Sequence, residues 1–106
     1  MSADIVVILC TAAPDAVAAM AEQLVDRRLV ACVSIVPVQS TYRWKGRVRC
    51  EPEQLMIAKT TKARADAAVA ALRSLHPYEV PEIIVLPVTA GHAPYLDWVR
   101  HETGVS

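Results

Sequence analysis

Two short runs constrain this chain more than any other feature. Ile5-Val6-Val7-Ile8-Leu9-Cys10 and Ile83 to Leu86 are apolar without alternation. A strand that is apolar at consecutive positions needs both of its faces out of water. The chain supplies little to cover them. One amphipathic helix is predicted from Pro14 to about Arg28, where Val17, Met20, Ala21 and Leu24 fall at i, i+3, i+4, i+7. A second is predicted where Ala65, Ala68, Val69 and Leu72 repeat that spacing. Two helices cover one face of a four-stranded sheet. A last short helix, opened by Pro94 and carrying Tyr95, Leu96, Trp98 and Val99, adds little. Another subunit is the expected cover for the second face.

The remaining elements complete a recognisable order. Val30 to Val36 reads as a second strand, broken at Pro37 by a bulge or bend and resumed through Tyr42 and Trp44. Lys45-Gly46 reads as a hairpin tip. Arg47 to Thr60 returns, with Leu55-Met56-Ile57-Ala58 as its apolar part, and Pro77 ends the second helix. The order β-α-β-β-α-β plus a C-terminal helix predicts an α+β, ferredoxin-like sandwich in a single domain, residues 1–106. A hairpin arm longer than its own sheet leaves strand edges that a neighbour can pair. In this topology Cys10 and His76 share one rim with Tyr78, Glu79 and the arm at Trp44 and Cys50, whereas Cys32 lies at the opposite end.

Composition excludes several function classes. The 11 basic and 11 acidic residues leave no net charge, which argues against a general nucleic-acid or anionic-membrane binder. Arg43, Lys45, Arg47 and Arg49 crowd the hairpin beside Tyr42 and Trp44. Without a basic excess they read as a solvated turn balanced by Glu51 and Glu53. With 54% hydrophobic residues, 5% aromatics and no Phe, the core must be built from Ala, Val, Ile and Leu. The first apolar run is too short to span a bilayer, and it lacks the flanks of a signal peptide. Cys10, Cys32 and Cys50 are odd in number with no CxxC, the pattern of reduced thiols in a cytoplasmic protein. The glycines, at 46, 91 and 104, form no phosphate loop, and no GxSxG is present, so the residues call for no enzyme.

The block His76-Pro77-Tyr78-Glu79-Val80-Pro81-Glu82 stands apart. Each proline fixes its own φ and pushes the preceding residue toward extended backbone. An imidazole, a phenol and two carboxylates therefore sit on a stiff connector, as at a site or an interface held in register. A thiol and an imidazole suit copper or zinc, yet two ligands do not close a zinc site. Taken alone, Cys10 reads as a small core residue, His76 as a helix-end residue bonding the last carbonyls, and Glu79 and Glu82 as surface carboxylates or partners for Lys59 or Arg73.

Taken together, the stretches Val6 to Ala12, Leu29 to Val33, Ser40 to Gly46, Met56 to Thr60, His76 to Glu82 and Tyr95 to Trp98 resemble the CutA family of divalent-cation tolerance proteins. The resemblance implies a homotrimer similar in shape to PII signalling proteins, with sheets facing inward and arms reaching to neighbours. It implies binding of copper or other divalent ions, a cytoplasmic setting and no enzymatic activity. The implied metal ligands are Cys10 and His76. Tyr42, Trp44, Lys59, Tyr78, Glu79 and Trp98 are implied as architecture of the intersubunit cleft. Some members carry a second His where this chain has Leu75, and many carry Asn where it has Ser34. The alternative is a PII-like signalling or scaffold trimer whose clefts bind a partner or small anion.

Overall fold

The structure, a computed structural model, describes residues 4–104. Its elements in chain order are β1 (Ile5–Ala12), α1 (Pro14–Asp26), β2 (Cys32–Trp44), β3 (Arg47–Thr61), α2 (Lys62–Leu75), β4 (Ile83–Pro87) and α3 (Ala93–Glu102). The four strands form one antiparallel sheet in the order β2-β3-β1-β4, the ferredoxin-like arrangement. No helix among the described residues is long and apolar enough to cross a membrane.

Register decides which side chains meet. Ile8 lies opposite Ala58 and Cys10 opposite Met56. These four join Ala12, Val17, Met20 and Leu24 of the first helix side and Ala68, Ala71 and Leu72 of α2 in the main core. The strand period of two sends Val7, Leu9, Ile57, Ile84 and Leu86 to the other face. There α3 covers only one end, packing Leu96 and Val99 against Ile5 and Ala31. Arg100 ties α3 to the sheet through Asp4 at 2.8 Å. Beyond α3 the face is open: Ile84 is 45% exposed and Leu86 43%. The single chain leaves unmet the burial that its strand pattern demands.

One expectation is corrected. β2 runs through Pro37 without a break, and its register with β3 holds from Cys32↔Lys59 to Trp44↔Arg47 with no residue skipped. β2 is an edge strand, so a residue without an N–H can sit in it provided that position faces away from the ladder. The helix ends follow the sequence. Pro14 opens α1 behind Ala13, and α1 stops at Asp26 because Arg28 takes a left-handed φ of 57°. Leu29 N–H then donates to Leu24 O at 3.0 Å, closing the helix end. At the end of α2, His76 is extended (φ −76°, ψ 132°), as a residue before proline should be. The hairpin turns at Lys45 and Gly46, whose φ values are 51° and 78°. Two successive positive φ values are the mark of a two-residue turn whose twist matches that of the flanking strands. The arm makes the molecule long, 46 × 25 × 21 Å.

Candidate functional site

The rim is built where the end of β1, the arm and the α2–β4 connector meet. His76 is the clasp. Its ring lies 2.8 Å from the Thr11 carbonyl through Nε2, and Nδ1 accepts the Tyr78 N–H at 3.1 Å. One neutral tautomer satisfies both partners, with Nε2–H donating to Thr11 and Nδ1 accepting from Tyr78. The ring is 8% exposed and packs against Tyr78 at 4.6 Å between centroids. The connector is thereby pinned to β1 by side chain and backbone together.

Cys10 is one residue from that contact, as the topology predicts, but it faces the helix side. It is 1% exposed within the main core. Burial, with smaller contributions from Glu82 and Glu53, pushes its thiol up to about 12. The two residues expected to ligate a metal therefore share the rim, yet neither offers a ready donor. The thiol holds its proton, and both ring nitrogens are engaged. No group of three or more His, Cys, Asp or Glu side chains among the described residues converges as a metal site would require. As found, the pair does not fit a bound divalent ion. Leu75, where some members carry His, is half-buried against the main core.

Beside the clasp opens a cleft of about 990 Å³. Thr11 forms its floor, the arm gives Tyr42 and Trp44, β3 gives Glu51 and Glu53, and the connector gives Tyr78, Glu79 and Glu82. Two tyrosine–carboxylate pairs brace it. Tyr78 Oη donates to Glu53 Oε2 at 2.7 Å, and Tyr42 Oη donates to Glu51 Oε1. Burial and then the Glu53 bond hold the Tyr78 hydroxyl well above its usual range, while the Glu51 bond raises that of Tyr42. The sequence pattern predicts Glu51 and Glu53 as counter-charges of the arm. Among the described residues neither lies within 4.0 Å of a cationic group. Their role was open to discovery from their spacing: two residues apart on one strand, they share a face.

Lys59 and Trp98 lie outside this cleft. Lys59, opposite Cys32 on β3, donates to Ser34 Oγ at 2.6 Å and reaches Cys32 Sγ at 3.8 Å. Ser34, where many members carry Asn, thus supplies an acceptor for the Lys59 ammonium. Trp98 stacks with Tyr95 on α3, 5.6 Å between centroids. Cys50, on the arm, is exposed and accepts from Thr41 and Gln39 at 3.5 Å each, which lowers its thiol from the usual value.

The family model of the CutA1 divalent ion tolerance protein matches residues 5–102. The divalent-cation tolerance protein CutA of Thermus thermophilus is 45% identical over 100 residues, covering 92% of this chain and 97% of that protein. Protein CutA of Homo sapiens is 46% identical over 85 residues, 79% of this chain but 48% of that protein, so the chain spans about half the human relative's length. The solved structure of the PII-like protein CutA from Nostoc sp. PCC 7120 in apo form superposes with a TM-score of 0.91 at 34% identity, covering 95% of this chain and 99% of that one. These relatives are named as tolerance or PII-like proteins and not as enzymes. The chain belongs to the CutA1 divalent ion tolerance protein family.

Proposed function

We propose that this protein serves divalent-cation tolerance as a homotrimer in the cytoplasm, with copper as the leading ion. The observation that carries the trimer is the open sheet face. Ile84 and Leu86 are nearly half exposed on strands whose sequence demands burial, and a second and third copy of the same face supply the cover. Family membership carries the metal part. Cys10 and His76 are the ligands we propose, under one condition. The rim must loosen, because the thiol has to lose its proton and the imidazole has to release Thr11 or Tyr78. Binding that needs this opening is weak at neutral pH and strengthens as pH rises toward the thiol's range. Copper titration of the wild type beside Cys10→Ala and His76→Gln tests the pair. Both variants are expected to bind more weakly, and equal affinity in all three excludes them as ligands.

A second reading is favoured by the cleft. Its volume is that of a small-molecule site, about 300–1,000 Å³, and a relative of the same fold is described as PII-like. On this reading the protein is a signalling or scaffold trimer, and the arm residues Tyr42 and Trp44 with Tyr78 and Glu79 are its architecture. Removing the hairpin tip then dissociates the trimer whether or not copper is present. A monomer-sized mass for the intact protein overturns both readings.

A further inference from the structure

We propose that the rim cleft is a binding site for an organic cation, an ammonium or guanidinium compound carried on an apolar body. This inference deepens the second reading above and rests on it. It does not depend on the metal reading.

Three observations converge. The first is charge. The cleft is lined by four carboxylates, Glu51, Glu53, Glu79 and Glu82, against two cations, Lys45 and Arg49. Among the described residues none of the four lies within 4.0 Å of a cationic group. Their charge is therefore not neutralised by a direct ion pair among the described residues, and it reaches Cys10 from Glu82 and Glu53. A small anion is disfavoured here.

The second is Glu53. It is only 8% exposed, on the wall of the cleft. Its Oε2 takes the Tyr78 hydroxyl, while its Oε1 has no hydrogen-bond partner among the described residues. That second oxygen is not sealed from solvent, since Thr61 Oγ1 is the one buried side-chain N or O atom without a partner among the described residues, so it can exchange water for an incoming N–H donor.

The third is the walls. Tyr42, Trp44 and Tyr78 present aromatic rings, and two of these rings are fixed by hydroxyl bonds to Glu51 and Glu53. Lys45 already places its Nζ over the Trp44 ring, 5.8 Å from the centroid. That contact marks the ring as a cation platform, and a ligand cation can take that face by displacing the exposed Lys45 side chain. Width separates an organic cation from a bare metal ion. The carboxylates line about 990 Å³ and do not converge as metal ligands do, so the occupant must be large enough to touch several walls at once.

Calorimetric titration of the assembled full-length protein tests this, with agmatine and benzyltrimethylammonium as probes and benzoate and benzyl alcohol as controls. The cations are expected to bind at least about tenfold more tightly than benzoate. Glu79 and Glu82 are exposed, so the Glu79→Gln/Glu82→Gln double variant keeps the fold. It is expected to weaken the cations by about tenfold or more. Trp44→Ala should weaken benzyltrimethylammonium more than agmatine. The proposal is overturned if neither cation binds, if benzoate binds as tightly, or if the glutamate variant binds both probes like the wild type. Copper alone, titrated into the same variant, separates the two proposals. Copper lost with the glutamates while the organic cations remain would make the cleft a metal site. Copper binding that follows only Cys10 and His76 concerns the metal reading and leaves this one intact.

Discussion

At the residue scale the rim separates chemistry from architecture. Cys10 and His76 read as a ligand pair because topology brings their backbones together. The side chains then diverge for reasons that sequence spacing does not carry. Strand alternation turns Cys10 into the core, where desolvation protects the protonated thiol. His76 is drawn the other way, into two hydrogen bonds that hold the connector. Thiol chemistry should follow this ordering. Cys50 is exposed, accepts two hydrogen bonds and has a lowered thiol range, so its thiolate forms first. With iodoacetamide near neutral pH, followed by mass spectrometry, Cys50 is expected to be modified first. Cys10 should stay unmodified until denaturant unfolds the chain. Early alkylation of Cys10 in native protein would contradict its placement. Nothing in the sequence separated these cysteines beyond their apolar neighbours, since Cys50 and Cys10 were both expected at the same rim.

At the element scale the arm was the most legible feature. A Lys-Gly pair between two long strands predicts a tight hairpin, and both residues take positive φ. Gly46 tolerates this freely, and a Cβ there would meet nothing within 4 Å. The cost of a side chain at Gly46 is thus purely conformational. Lys45 pays such a cost in the native turn. Lys45→Asn is expected to stabilise the protein and Gly46→Ala to destabilise it, each by about 1 kcal/mol. Urea unfolding midpoints at constant m measure both. The reverse signs would mean that the turn is reshaped by contacts beyond the chain. Pro37 was less legible. A proline inside a strand pattern predicts a break, but the outcome depends on whether the strand lies at an edge and which way that residue's nitrogen points. Both are decided by sheet order, and β2 is an edge strand paired only with β3.

At the scale of the whole molecule, the open sheet face dominates. Ile84 and Leu86 on β4 lie beside Leu9 and Val7 of β1 on a face that α3 covers only at the end near Ile5. Leu86 makes little of the single chain's core, so Leu86→Glu leaves the subunit folded while placing an unpaired carboxylate on this face. Light scattering is expected to give a trimer for the wild type and a monomer for the variant. A trimer that survives the substitution would move the interface elsewhere. The sequence by itself determined the element order, the helix ends at Pro14 and Pro77, the hairpin tip and the need for cover on both sheet faces. Each of these follows from local backbone chemistry or from periodicity, which neighbouring residues are enough to express. Only the tertiary structure decided that the Cys10 thiol is buried, that both nitrogens of His76 are used, and that Glu53 and Glu51 meet Tyr78 and Tyr42 around an acidic, aromatic-walled cleft. Those outcomes depend on which faces of separate elements meet across the sheet, and that is set by packing between residues far apart in the chain.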